Sequence, residues 1–184
     1  MKLLAYEVDK RPFLGVFNEN ETWAYPISAA GMEYRSMKDL IREAGPSEME
    51  MLDYISKKAP GDVNGAAPVE EIRIVSPIPE PDQDIICLGI NYMDHAAESA
   101  RFQKEEFARP EKAIYFSKRV NRTNDPDGII PAHKNLTNQL DYEAELAVII
   151  KKDAKDVKPE EVKDYIFGYT IMNDVSAREV QTEH

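Results

Sequence analysis

Apolar residues gather in short clusters at residues 2–8, 12–18 and 22–27, with polar turn formers between them. This pattern predicts three short strands in an antiparallel meander, the last turn being Asn18-Glu19-Asn20-Glu21. The spacing then becomes helical. Met37, Leu40, Ile41 and Ala44 share a face behind Ser36, the predicted N-cap, and Gly45 is the predicted stop. Ser47-Glu48-Met49-Glu50 reads as a capping box. It opens a second helix with Met51, Leu52, Ile55 and Ala59 on its apolar face, ended by Pro60-Gly61. Residues 69–75 predict another strand. Pro77, Pro79 and Pro81 then exclude both helix and central strand. A linker there sets a domain boundary near residue 78, dividing the chain into a small domain, 1–78, and a second one, 79–184.

After the linker the pattern predicts a strand over 84–89 and a helical segment carrying His95 and Glu98. Residues three apart share a helix face, so the glutamate can hold the imidazole for general-base work on water. An ordinary surface His–Glu pair satisfies the same spacing. Residues 99–112 are charged, with Phe102 and Phe107 among Arg, Lys and Glu, and read as a mobile flap. A short strand over 113–116 runs into Ser117-Lys118, and residues 121–128 form a turn-rich loop. His133 reads as a surface histidine. Residues 159–165 predict a short helix with Pro159 in its first turn, and 166–172 a strand ending at Asn173-Asp174. Arg178 and Gln181, three apart, share one face of a following helical turn.

The chemistry concentrates at Asp141-Tyr142-Glu143-Ala144-Glu145, which runs directly into Leu146-Ala147-Val148-Ile149-Ile150. The apolar half reads as a buried strand. Side chains alternate along a strand, so Asp141, Glu143 and Glu145 point the same way. Three carboxylates on one face repel each other, and burial drives them neutral. A bound cation removes both problems, and all-oxygen donors suit Mg²⁺ first, then Mn²⁺ or Ca²⁺. A solvated strand end whose acids face water is the other reading. Asp174 is a fourth acid candidate.

Composition narrows the choices. With 42% hydrophobic and 31% charged residues, the chain is an ordered globular protein. A net charge of −11 argues against nucleic acid and anionic membranes as partners. It leaves room for an anionic small molecule if a metal or a few Arg and Lys reverse the potential locally. The single cysteine, Cys87, excludes an internal disulfide, fits a reducing cytoplasm and reads as an inert core residue in Ile85-Ile86-Cys87-Leu88. No run of 18 apolar residues exists to cross a membrane, and the N-terminus is too polar for a signal peptide.

Four pieces in this order resemble the fumarylacetoacetate hydrolase family. They are Gly89-Ile90-Asn91-Tyr92 through His95 and Glu98; Tyr115-Phe116-Ser117-Lys118; Asp141-Tyr142-Glu143-Ala144-Glu145-Leu146; and Gly168-Tyr169 through Asn173-Asp174-Val175-Ser176-Ala177-Arg178 and Gln181. The resemblance covers roughly residues 84–184 and includes bacterial isomerase and acylpyruvate hydrolase-like members. It implies an α+β, β-dominated fold: a mixed β-roll preceded by a small α+β domain. It also implies a homodimer. Glu143, Glu145 and Asp174 become the metal ligands and Asp141 a supporting acid. His95 and Glu98 become the water-activating dyad, and Lys118, Arg178 and Gln181 the groups near the substrate carboxylate.

The implied reaction is hydrolysis of a carbon–carbon bond in an acylpyruvate-type 2-keto or enol carboxylate, through a metal-bound enolate. An isomerase or decarboxylase of 2-hydroxymuconate-type diacids from aromatic catabolism would use the same enolate without water attack. Family members continue past the equivalent of His184, supplying a further lysine and a Gly-Thr segment. The expectation is therefore a C-terminally truncated fragment with an open core, for which a non-catalytic metal- or carboxylate-binding role is the third reading.

Overall fold

A computed structural model of the chain describes residues 1–89 and 112–182. By its contacts the chain divides into two compact units, one of residues 1–77 and 125–184, the other of residues 78–124.

The first unit begins with the meander. β1 (Leu3–Val8), β2 (Arg11–Phe17) and β3 (Trp23–Pro26) pair antiparallel, joined first by a tight turn with Asp9 and Lys10 both at positive φ. Such a turn matches the twist of the strands it links. β4 (Ala67–Pro68) and β5 (Arg73–Val75) complete a five-stranded sheet in the order β4-β3-β2-β1-β5. Leu4, Ala5 and Tyr6 are all buried, so β1 is covered on both faces at its middle. Burial pushes the Tyr6 phenol up to about 12. Gly15 is required by close approach: a Cβ there would stand 2.6 Å from the Tyr25 carbonyl oxygen and 2.8 Å from the Tyr6 ring.

α1 (Met37–Glu43) starts at Ser36, whose hydroxyl accepts the Asp39 N–H at 3.1 Å. It buries Met37, Leu40 and Ile41 as its spacing predicts. α2 (Pro46–Ser56) starts earlier than the Ser47 box implies. Gly45 is its N-cap rather than a stop, Pro46 follows, and Glu48 reaches back to accept the Gly45 N–H at 3.0 Å. Leu52 and Ile55 are buried, but Met51 is 45% exposed and leaves the apolar face. The helix ends at Ser56, before Pro60-Gly61, and the Tyr25 hydroxyl donates to the Lys58 carbonyl at 2.9 Å just beyond it. The predicted strand over 69–75 is interrupted: Val69–Glu71 is a 3-10 turn, and only Arg73–Val75 pairs with β1.

The second unit contains β6 (Ile85–Gly89) and β7 (Ile114–Lys118), an antiparallel pair with Ile85 opposite Lys118. Cys87 is half-buried rather than a core residue, and Ile86 and Leu88, on the opposite face of β6, are exposed.

The chain rejoins the first unit at Asp125, which accepts from Arg73 Nη2 at 2.6 Å and from the Ser76 N–H at 3.0 Å. β8 (Leu140–Asp141) pairs with β11 (Ser176–Ala177), and β9 (Ala144–Ile150) with β10 (Ile166–Asn173). The final element described is α3 (Arg178–Thr182). β9 is not buried on both faces. Leu146, Val148 and Ile150 are 55%, 47% and 53% exposed, while the alternate positions are half-covered. The same apolar run is compatible with either arrangement, and only packing decides between them. Among the described residues no helix is long and apolar enough to cross a membrane.

Candidate functional site

The antiparallel register of β9 and β10 brings the sequence-distant acids to one end of a strand pair. Asn173 lies opposite Ala144 and Met172 opposite Glu145. Regular pairing breaks at Tyr142 and Glu143, and the main chain there is held another way. The Asp174 N–H donates to the Glu143 carbonyl at 2.8 Å, and the Glu143 N–H donates to Asn173 Oδ1 at 3.2 Å. Beyond the break Asp141 lies opposite Ser176. Asp141, Glu143 and Glu145 are each half-covered, while Tyr142, Ala144 and Leu146 between them are exposed. The three acids therefore share the covered side, and Asp174 is 5% exposed.

Arg178 opens α3 and points its guanidinium at two of these acids, Asp141 and Glu143. Its Nε and Nη2 donate to Asp141 Oδ2 at 3.0 and 2.8 Å, and Nη2 also donates to Glu143 Oε1. Its Nη1 donates to Gln181 Oε1 at 3.0 Å, so the two residues do share a face. The cation that the clustered acids call for is, in this structure, the chain's own guanidinium. The Arg178 hydrogen bonds hold the Asp141 carboxyl below the usual carboxylate range, against the partial burial that raises it.

A second set of contacts fixes the start of α3. The Arg178 N–H donates to the Gln139 carbonyl at 2.9 Å. Glu179 does not pair with Arg178. It accepts the Thr137 hydroxyl at 2.7 Å and the Asn138 N–H at 2.8 Å, and these bonds lower its pKa. Thr137 Oγ1 accepts the Gln139 N–H at 3.0 Å in turn. Thr137, which is buried, is a site residue the sequence pattern did not single out, and Asn173 was named only as a strand end and motif residue with no role assigned. Asn173 carried a signal, since Asn at a strand end commonly bonds a nearby main-chain group. Thr137 carried none.

The donor chemistry of Glu143, Glu145 and Asp174 is all oxygen, which suits a hard divalent ion. The main-chain bond joining Glu143 to Asp174 places two of the three on adjoining segments. As their side chains stand, no group of three or more His, Cys, Asp or Glu among the described residues is gathered to hold a metal. His133 is exposed, as its sequence context implies. Lys118 ends β7 in the other unit. His95, Glu98 and the predicted flap up to residue 111 lie outside the described residues.

The sequence profile described as "Fumarylacetoacetate (FAA) hydrolase C-terminal" matches residues 84–184. Oxaloacetate tautomerase YisK of Bacillus subtilis is 40% identical over 129 residues, covering 69% of this chain and 42% of that protein. The fumarylacetoacetate hydrolase of Exiguobacterium antarcticum superposes with a TM-score of 0.70 at 30% identity, covering all of this chain and 59% of that one. The maleylpyruvate hydrolase of Sphingobium sp. SYK-6, solved with manganese(II) and pyruvate, superposes with a TM-score of 0.64 at 24% identity. That match covers 97% of this chain and 60% of the other, and at this identity it speaks to the fold alone. The chain spans about three-fifths or less of the length of these relatives.

Proposed function

The chain belongs to the fumarylacetoacetate hydrolase family, and from that premise we propose that it is the part of a divalent-metal enzyme that acts on 2-keto or enol carboxylates. The proposed reaction is hydrolysis of the carbon–carbon bond of an acylpyruvate. The observation that carries this reading is the meeting of Glu143 and Asp174 across the ends of β9 and β10, with Glu145 on the same covered side as Glu143. Glu143, Glu145 and Asp174 would hold the ion, Mg²⁺ in preference to Mn²⁺ or Ca²⁺. When bound, such an ion supplies Lewis-acid stabilisation of negative charge developing on the 2-oxygen of the substrate.

The chain's own residues do the rest. Arg178 and Gln181 offer donors to the substrate carboxylate, Arg178 with the planar fork that matches one. Lys118 is assigned to the substrate oxygens. His95, oriented by Glu98, takes a proton from water, which adds to the acyl carbonyl. The bond to the pyruvate methylene then breaks, and that carbon is protonated, so one water yields a carboxylic acid and pyruvate. The roles of His95, Glu98 and Lys118 rest on the sequence pattern. A cytoplasmic homodimer is part of the same proposal.

A second reading, tautomerisation or isomerisation of a related keto acid, is supported by the likeness to an oxaloacetate tautomerase. It needs proton transfer without addition of water. Supplying the chain with acylpyruvates, enol-oxaloacetate and muconate-derived diacids, with Mg²⁺ or with EDTA, separates the readings. Mg²⁺-dependent release of pyruvate from an acylpyruvate supports hydrolysis, and Mg²⁺-dependent enol decay without cleavage supports tautomerisation. Turnover as fast in EDTA as in Mg²⁺ contradicts both. His95→Ala should stop cleavage and leave enol–keto exchange running.

A further inference from the structure

We propose that Arg178 is the resident cation of the acid cluster, and that a divalent ion must displace it from Glu143 while Asp141 keeps hold of it. The inference rests on the reading of Glu143 as a metal ligand. Its geometric basis is the unequal way the guanidinium divides itself. Asp141 Oδ2 receives two donors, Nε at 3.0 Å and Nη2 at 2.8 Å, and Gln181 receives Nη1 at 3.0 Å. Glu143 Oε1 receives only the Nη2 that Asp141 already shares. Contact with Glu143 can therefore be given up with the other anchors intact.

Electrostatics gives the reason for it to be given up. A doubly charged ion on the Glu143 carboxylate and a guanidinium at hydrogen-bond distance from it repel each other, and the site is covered enough for that repulsion to be felt. The glutamate side chain is 22% exposed and the arginine side chain 33%. The exchange has a consequence for order. Before the ion arrives, the guanidinium is engaged with the protein's own carboxylates. After it arrives, the Nη2 hydrogen given to Glu143 is released, while Nη2 still donates to Asp141, at a site that now carries excess positive charge. An anionic substrate then finds both the ion and an arginine edge. Asp141 is on this view a positioning residue: it keeps Arg178 beside the ion.

The test is Mn²⁺ binding to the whole chain without substrate, followed by the electron paramagnetic resonance of the unbound ion, in 0.05 and 0.5 M NaCl. Wild type, Arg178→Gln and Glu143→Gln are compared. Arg178→Gln should bind Mn²⁺ roughly tenfold more tightly than wild type, the equivalent of one charge-assisted hydrogen bond no longer competing. The gain should persist in 0.5 M NaCl, because contact between partly covered groups is screened less than charge acting at a distance. Equal or weaker binding by Arg178→Gln overturns the inference and makes Arg178 a support for the bound ion. A gain that vanishes in high salt also overturns it, leaving only a general field effect. Absence of Mn²⁺ binding in all three, or undiminished binding in Glu143→Gln, overturns the metal-site reading itself and this inference with it. Should Arg178→Gln fail to fold, Arg178→Lys decides, since one ammonium cannot satisfy both carboxylates as the fork does. Tighter Mn²⁺ binding than wild type is expected there too, and equal affinity refutes the inference.

Discussion

Thr137→Val tests whether the start of α3, and with it Arg178, is held by the segment before β8. The Thr137 side chain is buried, and its hydroxyl donates to Glu179 at 2.7 Å while accepting the Gln139 N–H at 3.0 Å. Valine has the same shape, so the substitution leaves no cavity and removes only those two contacts. Gln139 is exposed and Glu179 half-buried, so water can replace part of what is lost. Losing both contacts of the threonine hydroxyl is therefore expected to cost about 1–2 kcal/mol, near the ordinary value for one or two hydrogen bonds. For a chain of this size that corresponds to a fall in Tm of roughly 2–8 °C. The local readout is amide exchange at Arg178, whose N–H bonds the Gln139 carbonyl at 2.9 Å in the segment that Thr137 anchors. Exchange there should accelerate while the protected amides of β1 and β2 remain as in wild type. Thr137→Ser, which keeps the hydroxyl, should restore most of the protection. Unchanged Tm and unchanged exchange at Arg178 in Thr137→Val would show that these two bonds do not hold the helix.

Two further outcomes follow from the geometry. Gly15→Ala places a Cβ against the Tyr25 carbonyl oxygen and the Tyr6 ring inside the paired sheet, and should destabilise the protein by about 1–3 kcal/mol, typical of overpacking; a thermal melt matching wild type would refute the tight fit. Asp141, with its folded pKa depressed by Arg178, adds stability that is fully present above its ordinary value near 4 and is lost as pH falls through the lower folded value. Urea titrations should therefore show a wild-type advantage over Asp141→Asn that is level from pH 7 to about 5 and shrinks on further acidification; an advantage that grows with acid would contradict the ion pair.

Much of this arrangement was legible from residue pattern. Ser36 before an apolar face gave α1 correctly, because its cap is a local hydrogen bond. The start of α2 was misplaced for an equally local reason. Ser47 with Glu50 imitates the box that Gly45 and Glu48 form, and a glycine cap has no side chain to announce it. The alternation of Asp141, Glu143 and Glu145 was readable from the strand period, and they do share the covered side. The exposure of Leu146, Val148 and Ile150 was not readable, since an apolar run does not say whether one face or two will be covered. Nor could spacing identify the partners of Arg178. Glu179 is its chain neighbour, yet the pairing of β8 with β11 carries Asp141 to it, and Thr137 claims Glu179 from 42 positions away. Contacts set by tertiary register leave no mark in the local sequence.

The most direct test of the account is where a divalent ion sits. Crystals of the full chain soaked in Mn²⁺ should give an anomalous difference peak among the carboxylates of Glu143, Glu145 and Asp174, with Nη2 of Arg178 withdrawn from Glu143 and its hold on Asp141 retained. A well-occupied Mn²⁺ peak elsewhere, with these three acids unligated and Arg178 still on Glu143, would contradict the proposed metal site and the function built on it.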